Sequence, residues 1–196
     1  MVCFTSITSS SALLAAVYIT GATAAPTPTS NTNIPARTAP NGATHTVVAG
    51  LGGLHFDPEN VVAEIGDIVE FHYLAANHSV AQSSFDAPCV PLTSPAGADI
   101  AFFSGFMPTP AGSQNPNVFT IKVTDKNPIW YYCAQTKGDH CQMGMSGVIN
   151  QNFDNGKTLA VYQAKAALQL GKTQSVSPAK IGGGVVGPNP NLLGGF

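Results

Sequence analysis

The sequence predicts an all-β domain, a β-sandwich or barrel, followed by one short helix and flanked by disordered tails. Short strand-like stretches alternate with turn residues across about 110 residues of the chain. Only 9% of the 196 residues are charged, and there are 20 Gly and 15 Pro. A single stretch near the C-terminus has helical spacing of its apolar residues. Together these features favour a β-rich protein of one domain.

The predicted strands are short and are separated by Pro, Asn and Gly residues. In the stretch 68–73, Glu70 and His72 fall on one face and Phe71 on the other, which is the alternation of a half-buried strand. The predicted strands are 44–49, 60–64, 68–73, 80–84, 99–106, 118–124, 129–133 and 147–150.

The chain divides into five predicted parts. Residues 1–24 form a signal peptide and residues 25–42, rich in Pro, Thr and Asn, form a flexible leader. Residues 43–152 form the β domain, and residues 153–171 contain the helix, which we place at 157–170. Residues 172–196 are predicted to be a disordered Gly/Pro-rich tail, because Gly, Pro and Asn interrupt any helix or strand there.

The N-terminus predicts secretion. The apolar stretch 13–19 precedes Ala22 and Ala24, an Ala-x-Ala pattern that places cleavage after Ala24. The stretch is much shorter than the roughly 20 residues of a membrane span, and the C-terminal residues are too polar for a GPI signal. We therefore expect a secreted, extracellular protein without an evident membrane anchor. A formal net charge of −2 excludes the basic stripe that nucleic-acid binding needs.

Cysteine usage indicates a metal-bound thiol. Cys3 lies in the predicted signal peptide, so the mature chain keeps Cys89, Cys133 and Cys141. Three cysteines allow three alternative disulfides, and each of them leaves one thiol unpaired in an oxidising compartment. Because an unprotected thiol is open to oxidation there, we expect a metal ion to bind it.

The segment 133–145 carries three candidate metal ligands. Cys133 ends a predicted strand, His140 lies in the following loop, and Met145 precedes the next strand. His78, at the edge of an earlier strand, supplies a fourth ligand. Two imidazoles, one thiolate and one weak thioether define a mononuclear type 1 (blue) copper site, in which one ion alternates between Cu(I) and Cu(II). The residues thus predict a one-electron carrier that is not an enzyme.

The same residues resemble the cupredoxins, in particular the secreted, often serine-rich, plastocyanin- and phytocyanin-like proteins of fungi. The resemblance covers about residues 44–152 and implies a Greek-key β-sandwich. It also implies copper ligation by His78, Cys133, His140 and Met145, a disulfide between Cys89 and Cys141, and His140 as the more exposed ligand through which electrons pass. The motifs that carry it are Phe56-Asp-Pro58, Gly66-Asp-Ile-Val-Glu-Phe71, residues 77–91, Phe103-Ser-Gly-Phe106 and residues 132–145.

The loop between the cysteine and the histidine departs from the family pattern. The family commonly places its histidine five residues after the cysteine, whereas His140 follows Cys133 by seven. We expect an outward bulge at Gly138 to absorb the additional length without loss of ligation.

Other interpretations remain open at this point. Met145 could be a core residue with Met143 as a substitute ligand, and His45, His55 and His72 are expected to be surface or strand residues.

The alternative function is a non-redox extracellular or cell-wall protein that binds or buffers copper, or a structural protein. A multicopper oxidase is excluded because no His-x-His pair occurs, and structural zinc usually needs closer pairing of its ligands. We expect a monomer whose partner is an unknown redox protein or a small reductant. Asn77 is expected to carry no glycan, because its neighbour His78 binds the metal.

Overall fold

The computed structural model describes residues 42–93, 101–170 and 181–193. The predicted signal peptide, nearly all of the predicted leader and part of the predicted tail lie outside these residues. The chain divides into two units, Met1–Arg37 and Thr38–Phe196, and the described residues all belong to the second. Within the described residues, no helix combines the length and the apolar character that crossing a membrane requires.

Two β-sheets face each other and confirm the predicted sandwich. The first sheet has the order β11-β8-β4-β1-β2 and the second the order β3-β10-β9-β6, while β5 and β7 form a separate pair. The elements are β1 Thr44–Ala49, β2 Phe56–Asp57, β3 Asn60–Val61, β4 Ile68–Tyr73, β5 Ala76–His78, β6 Ala81–Ser83, β7 Met107–Thr109, β8 Asn117–Lys122, β9 Ile129–Tyr132, β10 Ser146–Ile149, α1 Leu159–Ala167 and β11 Val185–Pro188.

The core lies between the two sheets. Phe71 and Phe119 from the first sheet meet Tyr131 and Ile149 from the second, and all four side chains are fully buried. The rings of Phe56 and Phe71 lie edge-on to Tyr131, with centroids 5.0 and 5.2 Å apart. Such pairs contribute about 1 kcal/mol beyond the burial of their apolar area. The alternation of apolar residues along the strands therefore produces the interior that the sequence predicted.

The helix is shorter than predicted. It begins after Thr158, whose side chain accepts a hydrogen bond from the Val161 backbone N–H, and it ends at Ala167, whereas the sequence predicted 157–170. Leu168 and Leu170 are 84% and 59% exposed, so the last predicted turn buries no apolar surface. Packing of the apolar face, which supplies most of a helix's stability, thus stops at the observed end.

The prediction of a disordered tail is wrong for residues 185–188. These residues form β11, which pairs antiparallel with β8 from Val185–Thr120 to Pro188–Asn117. Gly184 explains the error, because a Cβ atom at this position would lie 2.5 Å from the Phe119 ring. The glycine that suggested disorder is what allows close approach to β8. Pro188 is tolerated because β11 lies at the edge of the sheet.

The predicted strand 99–106 is also displaced. Residues 99–100 lie outside the described residues, and Phe103 forms only isolated bridges to Ala81 and Gly182. The strand in this region is β7, which pairs with β5. Pro108 lies in the middle of β7, where a two-stranded pair leaves one edge of the strand open and a missing N–H is tolerated. This pairing places His78 opposite Met107.

Candidate metal centre

Three side chains predicted as ligands lie together at one end of the sandwich. Cys133 follows β9, His140 lies in the loop before β10, and His78 ends β5. One ligand atom from each of the three lies within 4.8 Å of the others, and all three residues are buried. It is the one group of three or more His, Cys, Asp or Glu side chains with metal-site spacing in the described residues.

Backbone hydrogen bonds close the loop that carries Cys133 and His140. The Cys133 N–H donates to the Met145 carbonyl at 3.0 Å, and the Met145 N–H donates to the His140 carbonyl at 2.9 Å. Gly138 and Asp139 have φ angles of +86° and +47°. A left-handed conformation of two successive residues turns the chain sharply, and glycine adopts it without a steric cost. The turn lies in the part of the loop where the sequence predicted a bulge.

His78 presents an unused nitrogen to the centre. Its Nε2 lies 3.1 Å from the Ala75 carbonyl oxygen and 3.2 Å from the Ala76 backbone nitrogen, so this ring nitrogen is already engaged with the backbone. Its Nδ1 is buried and has no hydrogen-bond partner. A histidine that donates one ring N–H to a backbone carbonyl holds its other nitrogen free and oriented as a ligand. A buried polar atom without a partner is costly, so the arrangement fits a metal ion at Nδ1.

The Cys133 sulfur is buried and unpaired. Its Sγ lies 3.4 Å from the His140 Nδ1 atom and accepts a hydrogen bond from the Ser79 backbone N–H, also at 3.4 Å. Burial raises the pKa of the thiol, because a thiolate is poorly solvated in the interior. The side chain therefore stays a neutral thiol until a cation replaces its proton.

His140 stays neutral over a wide pH range. Burial and the nearby His78 imidazole lower the pKa of His140 to about 4, and the two ring centroids are 5.0 Å apart. Burial also lowers the pKa of His78. Neutral imidazoles are the form that binds metals, so above about pH 4 the His140 ring binds without losing a proton first, and the lowered pKa of His78 favours the same form. His140 is 7% exposed and His78 1%, so both rings are buried and His140 is the more accessible.

The two methionines of the loop lie in different surroundings. Met145 is fully buried and belongs to the same core cluster as Cys133. Met143 is 62% exposed. Only Met145 therefore lies in the interior on the side of the ligand cluster.

The structure contains a disulfide between Cys89 and Cys141, with Cα atoms 5.7 Å apart. Among the three pairings that the cysteine count left open, this one leaves Cys133 free for a metal. It closes a loop of 52 residues, which in the chain-entropy account stabilises the fold by about 4 kcal/mol. Because Cys141 follows His140 directly, the disulfide also anchors the loop that carries this ligand.

The remaining histidines have other roles. His45 hydrogen-bonds to Asp67 at 2.7 Å, and His72 to Glu70 at 2.8 Å. His72 lies on β4, as expected of a surface or strand residue, and it is buried, with Asn189 at its second ring nitrogen. Sequence reasoning also missed the role of Ser79, whose amide contacts the sulfur. Its position directly after His78 was the available signal.

The donor set suits copper. Two imidazole nitrogens and one thiol serve both Cu(II), which favours nitrogen, and Cu(I), which favours sulfur. No carboxylate belongs to the cluster in the described residues, which argues against the hard cations Mg²⁺ and Ca²⁺.

Curated relatives decide the family. A GPI-anchored cupredoxin of Arthroderma benhamiae is 32% identical over 149 residues, which cover 76% of this chain and 70% of that protein. The chain belongs to the cupredoxin family. An extracellular serine-rich protein of the same fungus is 37% identical over 141 residues. This cupredoxin matches that relative over 72% of its own length and spans only half of the relative's.

The chain also has partial similarity to solved structures. The cupredoxin is similar to auracyanin of Roseiflexus castenholzii, with 15% identity, 55% of this chain and 97% of that chain covered, and a TM-score of 0.39. It is also similar to pseudoazurin of Methylobacterium extorquens, with 20% identity, 67% and 99% coverage and a TM-score of 0.35. No family model matches the chain.

Proposed function

We propose that this cupredoxin is a secreted blue-copper protein that carries one electron at a time and is not an enzyme. The observation that carries the proposal is the buried, unpaired Cys133 sulfur beside two neutral imidazoles, one of which holds an unpartnered Nδ1. In an oxidising compartment such a thiol persists when a metal ion occupies it.

His78, Cys133 and His140 would hold one copper ion, with Met145 as a weaker fourth ligand. When bound, copper supplies the one-electron Cu(II)/Cu(I) couple. The chain's contribution is to hold the donors still. Hydrogen bonds on both sides of the loop and the Cys89–Cys141 disulfide fix Cys133 and His140. Donors that do not move between oxidation states keep the reorganisation small and the transfer fast.

The Ser79 amide adjusts the electronics of the sulfur. Its N–H points at Cys133 Sγ, and the Ser79 Oγ accepts the Ala134 N–H at 2.9 Å, which ties the two segments together. A hydrogen bond to a metal-bound thiolate withdraws electron density from it. Hydrogen bonding around this sulfur is one of the factors that tune the potential of blue-copper sites.

The predicted domain boundaries and location belong to the same proposal. We take residues 1–24 as a removable signal peptide and residues 43–152 as the copper-binding domain. The names of the two relatives, one extracellular and one GPI-anchored, support a location outside the cell or at its surface. N-terminal sequencing of the secreted protein tests the boundary: a first residue other than Ala25 places the cleavage site elsewhere.

The test of the copper site is titration of the purified protein with copper(II), followed by visible absorption. We expect an intense thiolate-to-copper band near ~600 nm that saturates at one equivalent. Cys133→Ser abolishes the band. A correctly oxidised protein that remains colourless with stoichiometric copper contradicts the proposal.

The fourth ligand is tested by a matched pair of variants. Met145→Leu shifts the reduction potential and the spectrum, because a thioether is lost at the centre while the volume stays similar. Met143→Leu, two residues away on the exposed side of the loop, leaves both unchanged. Equal effects of the two substitutions would remove Met145 from the ligand set.

A copper-binding or copper-buffering protein is the second candidate. The observation in its favour is the burial of both imidazoles, since even His140 is only 7% exposed. Protein-film voltammetry separates the two functions. A carrier gives a reversible, fast couple, whereas a buffer exchanges copper with a chelator more readily than it exchanges electrons.

A further inference from the structure

A small open pocket lies on the side of His78 away from the cysteine. It has a volume of about 180 Å³ and is lined by residues 50–52, 74–75 and 112–113. Glycine, leucine and alanine form most of the lining, and no charged side chain takes part. None of these residues belongs to the ligand cluster, so the pocket is a separate feature of the same end of the sandwich.

The wall of the pocket is in direct contact with the His78 ring. Gly50 has a φ angle of +89°, and a Cβ atom there would lie 2.5 Å from His78 Nε2. The carbonyl oxygen of Ala75, another lining residue, lies 3.1 Å from the same Nε2. A glycine backbone and one carbonyl group are thus all that separates a molecule in the pocket from a proposed copper ligand.

We propose that this pocket binds a neutral single-ring phenol and presents it to His78 as an electron donor. An apolar cavity of about 150 Å³ is enough for benzene, so the volume matches one ring. The absence of a charged side chain in the lining disfavours an anion or a cation, which would lose hydration without a partner. The ring packs against Leu51 and Leu74, and its hydroxyl stays at the open mouth beside Ser113.

The donor role rests on the proposed function. With copper(II) held by His78, Cys133 and His140, a phenol in the pocket would lose its O–H proton to water at the pocket mouth and one electron, by way of His78, to the metal. The bound copper(II) would be the oxidant, reduced to copper(I), and the phenol would leave as a phenoxyl radical. The thin wall at Gly50 keeps a molecule in the pocket close to the His78 ring.

Binding is tested first on the copper-free protein, so that the result does not depend on the copper site. The probe is 4-fluorophenol, followed by fluorine NMR, with an expected dissociation constant of about 1 mM. Leu51→Ala raises this constant about tenfold, because it removes one apolar wall. Ser113→Phe fills the mouth and removes binding. Leu168→Ala, an equivalent substitution of a leucine that is 84% exposed outside the pocket, leaves it unchanged. Benzoate, a ring of similar size with a charge, binds at least about ten times more weakly.

The donor role is tested by stopped-flow reduction of the copper(II) protein with hydroquinone. The rate of bleaching is expected to saturate with hydroquinone concentration, and Leu51→Ala is expected to raise the half-saturation concentration while the reduction potential stays the same. A strictly linear dependence on concentration overturns the donor role.

Three results overturn the pocket assignment itself. They are absence of saturable 4-fluorophenol binding, equal binding by the wild-type protein and both pocket variants, and a dimer in sedimentation experiments that Leu51→Ala dissociates. The last result would make this surface an interface between two copies of the chain. A protein that binds 4-fluorophenol but forms no blue copper complex refutes the proposed function and leaves the pocket intact.

Discussion

Two buried histidines of this cupredoxin have opposite hydrogen-bonding states. His72 on β4 and His78 at the end of β5 are each 1% exposed. Both nitrogens of His72 have partners, Glu70 at 2.8 Å and Asn189 at 3.3 Å. His78 has a partner at Nε2 only, and its Nδ1 faces the Cys133 side of the sandwich without one. Burial is therefore the same at the two sites, and the unused nitrogen is what marks a ligand.

The difference follows from what covers each ring. The Asn189 side chain, in the segment after β11, reaches both His72 and the Gln114 Oε1 atom at 2.9 Å. The polar face of β4 is thus closed by a polar network in which every group has a partner, as buried polar groups require. In the metal centre, His78 keeps one backbone contact at Nε2, and its ring and that of His140 lie beside the Cys133 sulfur. A polar network in which every atom has a hydrogen-bond partner stabilises the fold. A cluster that keeps an unpartnered nitrogen can bind a metal ion.

The largest expected effect comes from the ligand histidine. His78→Gly is expected to weaken copper(II) binding by more than about 100-fold, beyond the range that loss of a supporting hydrogen bond causes. His72→Gln, an equally buried histidine, leaves the affinity within a few-fold of wild type. Competition with a chelator of known affinity measures both. If the two variants lose copper equally, an unpartnered nitrogen does not distinguish a ligand.

The next effect is on the free energy of unfolding, where we expect His72 to matter, whereas His78 matters for copper affinity. His72→Leu leaves the buried Glu70 carboxylate without its imidazole partner, while Asn189 keeps its hydrogen bond to Gln114, and costs about 1–3 kcal/mol in the free energy of unfolding. Replacing both members, Glu70→Leu with His72→Leu, recovers most of that loss, since apolar pairs need no partner. Urea denaturation of the copper-free protein gives the values. A double variant less stable than the single one would show that the pair itself, and not the orphaned partner, carries the stability.

A smaller effect is expected on the local stability of β11, the strand that precedes Asn189. Gly184→Ala introduces a methyl group 2.5 Å from the Phe119 ring and the Thr120 carbonyl oxygen, which pushes β11 away from β8. Hydrogen exchange at the β11 and β8 amides is expected to accelerate, while the visible band of the copper form is unchanged. Gly187→Ala, in the same strand and with no atom within 4 Å of the new methyl group, is the control. Equal acceleration in the two variants contradicts the close-approach explanation.

The smallest effect concerns the acid stability that Asp67 contributes through its hydrogen bond with a third histidine, His45. The hydrogen bond from His45, followed by the Glu64 N–H, holds the pKa of the Asp67 carboxyl below 3.8. A carboxyl whose pKa is lower in the folded state contributes stability that is present above its unfolded value and is lost as the pH falls through its folded value. Asp67→Asn is expected to flatten the stability profile below about pH 4 and to change little near neutral pH. An unchanged acid limb of the urea midpoint would remove Asp67 from this role.

The sequence predicted most of the site because its signals are local. Cys133 and His140, two members of the cluster, lie only seven residues apart, and an odd number of cysteines in a chain with a predicted signal peptide already indicated a metal-bound thiol. The strand bearing Glu70 and His72 was predicted from its alternation, with the same bounds as β4. Both depend on neighbours in the sequence, which composition and spacing record.

The parts that were missed depend on contacts between distant segments. The two nitrogens of His78 cannot be distinguished until Ala75 and Gly50 are in place, and β11 exists because Gly184 fits against Phe119. The Gly/Pro-rich composition of residues 181–193 has the same local appearance whether or not a strand edge is available to pair with. Long-range register decides between these outcomes, and single-sequence patterns do not contain it.

X-ray absorption at the copper K edge of the loaded protein tests the central claim most directly. We predict one short copper–sulfur distance and two imidazole nitrogens at the metal, with the sulfur contribution lost in Cys133→Ser and one nitrogen lost in His78→Gly. A spectrum fitted by nitrogen and oxygen neighbours alone would mean that the Cys133 thiol is not a ligand and that copper binds elsewhere on this cupredoxin.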